Sequence, residues 1–171
     1  MNLSHETSKT YIQDMPKAEL HIHIEGSLEP ELMFALAERN RVALRYASAE
    51  EVRRAYDFSD LQSFLDVYYE ASQVLLHEQD FYDLTRAYLR KAAAQNVRRA
   101  EVFFDPQAHT GRGVSFETVI TGIRRAVLDA ERQLGIEHGL SCVFSGTSAP
   151  KKRRRPCTAR YHTASGSSGL G

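Results

Sequence analysis

The sequence predicts an α/β protein built on parallel strands. Three observations carry this. Residues 17–25, 97–105 and 138–144 are short runs with the length and residue types of strands. Between them lie helical stripes rather than tight hairpin turns. Connections that long carry the chain back to the same end of a sheet, so successive strands run parallel. No internal repeat at a solenoid period is present.

Taken in order, residues 1–14 are polar and read as a loose arm. The first strand follows. Its alternation puts Leu20, Ile22 and Ile24 on one face and His21, His23 and Glu25 on the other. Gly26 lets the backbone turn at the strand exit. Two imidazoles and a carboxylate on one face, at the carboxyl end of a strand, form a candidate metal or catalytic cluster. On spacing alone, a hydrogen-bonded histidine pair is the commoner reading of His21 and His23.

From Pro30 to Asn40 the apolar positions Leu32, Met33, Leu36 and Ala37 follow helical spacing. Ser48 and Glu51 have capping-box spacing and open a short helix through Arg54. Ser59 and Gln62 repeat the spacing before a stripe of Leu61, Phe64, Leu65, Tyr68, Ser72 and Leu75. A helix from Asp80 to Gln95 turns Phe81, Leu84, Tyr88 and Ala92 inward. Val97–Asp105 is the second strand, ended by Pro106. Residues 106–114 read as a loop. Ser115 then caps a helix whose stripe is Phe116, Val119, Ile120, Ile123, Val127, Ala130 and Leu134, with Gly135 as its stop. A third strand begins at His138.

The stretch Pro16–Leu32, with its Leu-His-Ile-His-Ile-Glu-Gly core and Ser-Leu-Glu-Pro turn, resembles the first strand and loop of the adenosine/adenine deaminase family. Adenosine deaminases usually carry Asp where Glu25 stands. Glu25 followed by Gly-Ser-Leu-Glu-Pro, together with Ala100–Thr110, is more similar to the adenine deaminase branch. The resemblance covers about residues 15–144. It implies the N-terminal portion, about three strands, of a (β/α)8 TIM-type barrel. At 171 residues the chain is short for that fold, which needs about 250.

The resemblance also implies zinc, one ion per subunit in a complete protein, and a purine base as the small-molecule partner. It implies hydrolytic conversion of adenine to hypoxanthine and ammonia, as in purine salvage, with a nucleoside deaminase as the alternative. Carried over by position, His21 and His23 are metal ligands. Glu25 is either a substrate contact or a carboxylate that orients a ligand histidine. The family's third histidine, its proton-transferring Glu and its closing Asp fall on later strands, and nothing in 145–171 matches them. The chain is therefore expected to be an inactive fragment without its own catalytic acid and base. Glu101, Asp105 and His109 are expected to shape the pocket, with Asp105 also suited to capping the turn at Pro106. His77 and His138 read as surface or loop histidines.

Composition is that of an ordinary globular protein, 42% hydrophobic and 26% charged. No apolar run reaches membrane-span length, and residues 1–15 lack a signal-peptide core, so a cytoplasmic protein without membrane partners is expected. Cys142 and Cys157 form no framework, which suits a reducing compartment. The net charge of zero conceals an asymmetry. Residues 145–171 hold six Lys or Arg and no Asp or Glu, leaving 16 basic against 22 acidic residues in 1–144.

The pattern changes after Phe144. Lys151–Pro156 is strongly basic, and Ser165–Gly169 resembles a linker. Three readings stay open for this tail: a disordered nucleic-acid-binding or nuclear-targeting segment, an appended linker, or translation in a shifted reading frame. Three strands of eight would leave open sheet edges and uncovered helix faces, so association or poor solubility is expected.

Overall fold

A computed structural model describes residues 5–143 of the chain. Residues 144–171, with the basic tail, Cys157 and His162, lie outside the described residues. Helix α1 spans His5–Asp14 where the polar composition suggested a loose arm. It is held at the base of the sheet by backbone acceptors. Lys17 Nζ donates to the carbonyls of Gln13, Met15 and Gln95 at 3.2, 2.8 and 3.0 Å, and the Asn96 amide donates to the Asp14 carbonyl. Polar residues can sustain a helix when its end is fastened this way.

Strand β1 is Lys17–His23, and a single 3-10 turn, Ile24–Ser27, follows it. Then come α2 Pro30–Asn40, α3 Ala49–Ala55, α4 Leu61–Ser72 and α5 Glu78–Ala94. Strand β2 is Val97–Phe104, α6 is Pro106–Thr110, α7 is Phe116–Leu134 and β3 is Glu137–Cys142. The sheet order is β1-β2-β3, and both pairings are parallel. The α/β expectation with parallel strands holds, and the three strands occupy neighbouring positions as successive strands of a barrel would.

Local sequence explains most boundaries. Pro30 stands in the first turn of α2, where its missing N–H has no intrahelical acceptor to lose. Ser48 Oγ accepts from the Glu51 amide, and Ser115 Oγ accepts from the Thr118 amide at 3.0 Å. Gly135 takes φ +66° to close α7, a conformation open to glycine. Before α4 the capping pair is Asp60 with Ser63, one residue beyond the spacing expected from Ser59.

One core joins the sheet to its helices. Ala100, Val102 and Phe104 share it with Phe81, Leu84 and Leu89 of α5 and with Val119, Ile123 and Val127 of α7. The helices approach closely at Gly122, where a Cβ would lie 2.3 Å from the Glu78 carbonyl oxygen. Asp80 ties α5 to α2. Its buried carboxylate accepts from the Leu76 and His77 amides, Asn40 Nδ2 and Arg39. Burial alone would raise its pKa, but these donors together hold it below the usual carboxylate value.

Two packing expectations need correction. In α4 the buried residues are Val67, Ala71 and Ser72, while Leu61 and Phe64 of the expected stripe are exposed. The helix is rotated so that Phe64 and Tyr68 border a pocket instead of filling the core. Residues 106–114 are not a plain loop, because Asp105 caps the short helix α6 through the Gln107 amide. Among the described residues, the outer edges of β1 and β3 have no partner strand, and no helix is long and apolar enough to cross a membrane.

Candidate metal and ligand site

The site begins where β1 stops being regular. Pairing with β2 shifts register between Glu19 and Ile22, and His21 adopts φ +70°. A positive φ is unfavourable for a residue with a Cβ, so the sheet holds His21 in a locally strained bulge. The bulge brings the two imidazoles together: His21 Nε2 and His23 Nε2 are 3.3 Å apart. Two nitrogens bonded to one tetrahedral ion at about 2.0–2.1 Å stand at about that separation. The same distance also allows a hydrogen bond between neutral rings.

Phe103 of β2, the register partner of His23, braces the pair. Its ring stacks on His21 with centroids 4.0 Å apart and planes 11° apart, and lies 6.0 Å from the His23 ring. Among the described residues no group of three or more His, Cys, Asp or Glu side chains is arranged to hold a metal. His21 and His23 therefore provide two donor atoms of a potential metal site.

Glu25 does not continue the histidine face. The chain leaves the strand after His23, and Glu25 turns into the interior within the 3-10 turn. Its side chain is 1% exposed. Oε1 accepts from the Asp105 backbone amide at 2.9 Å and pairs with His109 Nε2 at 3.0 Å. Oε2 makes no hydrogen bond of ordinary geometry among the described residues. This arrangement offers no support for Glu25 orienting His21 or His23. Its partner is a third histidine, on α6.

Glu25 also lines a pocket of about 210 Å³ with Tyr56, Phe58, Phe64, Val67 and Tyr68. Burial first, then the Glu25 and Asp105 carboxylates and a hydrogen bond to the Glu25 side chain, push the Tyr68 phenol far above its ordinary pKa, so it remains a proton donor. The arrangement suits a flat apolar ligand with an N–H group for a carboxylate oxygen.

The remaining histidines separate. His77 is exposed and precedes α5, as expected of a loop residue. His138 is not a surface residue: it lies in β3 with its side chain 7% exposed, and Glu131 Oε2 is 3.4 Å away. Burial depresses its pKa, with Glu131 opposing. Asp105 takes the turn-capping role through its side chain while its amide holds Glu25. Glu101 points to the surface and pairs with Arg99, so it does not shape this pocket.

Sequence reasoning missed Phe103 and Arg112. Phe103 could have been found from strand register, since it stands opposite His23. Arg112 had no clear local signal, because two of its four partners, the Gln73 and Leu75 carbonyls, lie in the distant turn after α4.

Comparison with known proteins follows the same outline. A family model described as adenosine deaminase matches residues 16–165. The chain is 65% identical over 126 residues to an adenine deaminase of Chlorobium phaeobacteroides, covering 74% of this chain and 38% of that protein. It resembles the crystal structure of an adenine deaminase from Arthrobacter aurescens, with TM-score 0.72 and 56% identity, over 74% of this chain and 39% of that one. It also resembles an amidohydrolase from Burkholderia ambifaria solved with bound zinc, with TM-score 0.69 and 27% identity, over 83% of this chain and 39% of that one. The chain spans about two fifths of the length of the curated relatives it matches.

Proposed function

This chain belongs to the adenosine deaminase family, and from that premise we propose that it supplies the first metal ligands and part of the base pocket of a zinc-dependent adenine deaminase. The reaction would be hydrolysis of adenine to hypoxanthine and ammonia. The observation that carries this reading is the 3.3 Å approach of His21 Nε2 to His23 Nε2 at the carboxyl end of the first strand. The adenine deaminase names of relatives such as those from Chlorobium phaeobacteroides and Ectopseudomonas mendocina favour the free base over a nucleoside.

In this proposal His21 and His23 hold the ion, and Phe103 keeps both rings in place. Zinc there would act as a Lewis acid that makes water nucleophilic near neutral pH. Glu25 accepts a hydrogen bond from a nitrogen of the base and fixes its orientation. Phe58, Phe64 and Tyr68 cover its faces and displace water.

Two imidazoles do not complete a catalytic zinc site, which takes three protein ligands and leaves a position open. Among the described residues no third His, Cys, Asp or Glu joins the pair in a group that could hold a metal. The chain alone is therefore proposed to bind metal weakly and to turn over no adenine.

Zinc titration of the full chain beside His21→Ala and His23→Ala tests the metal assignment. Uptake by the parent that either substitution abolishes is expected; unchanged uptake in both variants rejects it. Adenine absorbance followed with added zinc tests the rest, and turnover matching a full-length relative would refute the inactive-fragment reading.

A further inference from the structure

Arg112 stands apart from the histidine pair, yet its contacts lead to the ligand pocket. Its Nε donates to the Ala108 carbonyl at 2.9 Å, and its two terminal nitrogens donate to the Gln73 and Leu75 carbonyls, each at 3.3 Å. The nitrogen that reaches Leu75 also lies 2.9 Å from His109 Nδ1. A guanidinium has only donors. His109 Nδ1 must therefore accept, which leaves the single ring proton on Nε2.

That proton determines the other end of the ring. His109 Nε2 is 3.0 Å from Glu25 Oε1, and with Nε2 protonated the ring donates to this oxygen. The Asp105 amide donates to the same oxygen at 2.9 Å. Phe81 holds the imidazole edge-on, with centroids 4.8 Å apart and planes at 90°. Both donors converge on Oε1; the buried Oε2 has no such pair of donors, and the Tyr68 phenol is the other group that hydrogen-bonds this carboxylate.

We propose that Arg112 and His109 are positioning residues for Glu25, pinning Oε1 so that Oε2 is presented, beside the Tyr68 phenol, as a fixed acceptor for a ligand N–H in the aromatic pocket. The ligand chemistry is a planar nitrogen heterocycle with a donor at its edge. This deepens, and rests on, the assignment of that pocket to adenine. The pinning itself is a property of the chain without ligand.

The relay makes a sharp statement about Glu25→Gln. Two donors still converge on the Oε1 position, so the amide oxygen must occupy it. The amide NH2 is then forced into the Oε2 position, replacing an acceptor by a donor of the same size. A carboxylate held without that orientation would let Gln turn over and keep the acceptor.

The test uses the full chain with 15N-labelled histidine, observed by long-range proton–nitrogen NMR. The His109 signal is assigned by its loss in His109→Gln. The parent should show it as the neutral Nε2–H tautomer, and Arg112→Met, which removes the donor to Nδ1, should move the Nδ1 nitrogen signal away from its hydrogen-bonded position while Nε2 keeps its proton toward Glu25. A parent ring protonated at Nδ1 overturns the relay, even if Arg112→Met does not fold. So does a folded Arg112→Met with an unchanged Nδ1 signal.

Adenine is then titrated against the same samples. Affinity should fall roughly tenfold or more in Glu25→Gln, the loss of a hydrogen bond to a charged group. Unchanged affinity there overturns the proposed presentation of Oε2. A parent with the expected tautomer but no adenine binding rejects the pocket assignment and leaves the pinning of Oε1 supported.

Discussion

Glu25 Oε1 and His109 Nε2 lie 3.0 Å apart across 84 residues of sequence, and neither side chain is more than 1% exposed. A buried carboxylate that loses its partner keeps the full desolvation penalty. His109 is a neutral donor here and the Asp105 amide remains on Oε1, so His109→Leu should destabilise the chain by about 1–3 kcal/mol. The double variant Glu25→Leu with His109→Leu removes both polar groups and should be less damaged than the sum of the singles. Urea midpoints for the four proteins give the coupling, and simple additivity would show that the pair does not interact.

The brace behind the histidine pair is Phe103, stacked on His21 at 4.0 Å. Phe103→Leu keeps an apolar side chain in the strand but removes the flat surface that holds the ring. Groups that orient a ligand histidine typically contribute 10–100-fold to metal affinity. Zinc affinity of Phe103→Leu should fall by about tenfold, with circular dichroism unchanged. Affinity equal to the parent would show that the bulge at His21 suffices to hold the pair.

Much of this arrangement was legible in the sequence because its signals were local. Pro30, Ser48, Ser115 and Gly135 mark their helix boundaries through caps and backbone preference. His21 and His23 stood out by spacing and by the family resemblance. Glu25 was misplaced because alternation assumes an unbroken strand, and nothing local announces the bulge at His21 or the 3-10 turn after His23. The stripe of α4 misled for another reason. Phe64 and Tyr68 satisfy the same 3.6 period whether they fill a core or line a pocket. Residues 145–171 carried a strong compositional signal, but they lie outside the described residues.

Gly122 tests the packing that supports the site from behind. A Cβ there would lie 2.3 Å from the Glu78 carbonyl and 2.8 Å from Phe81 Cβ, so α5 and α7 must separate to admit it. Gly122→Ala should destabilise by about 1–3 kcal/mol, although alanine is the better helix former. Gly139→Ala is the control. Its Cβ would meet only Glu101 Cγ, at 3.5 Å. Thermal unfolding of both variants should separate them, and a stabilised Gly122→Ala would contradict the close crossing.

His138 gives the pH dependence a definite sign. Burial lowers its pKa, and Glu131 only partly offsets this. The folded chain therefore binds its proton less readily than the unfolded chain, whose histidine titrates near about 6.5. The contribution is fully present above the unfolded value. It declines as pH falls through the window between that value and the lowered folded one, and below the window it is lost. His138→Gln cannot take up the proton. Urea midpoints from about pH 8 to about pH 5 should fall more steeply for the parent than for His138→Gln. Each of the other histidines contributes equally to both curves, so the difference belongs to His138. Parallel curves would mean that the side chain reaches water freely enough to titrate as in the unfolded chain.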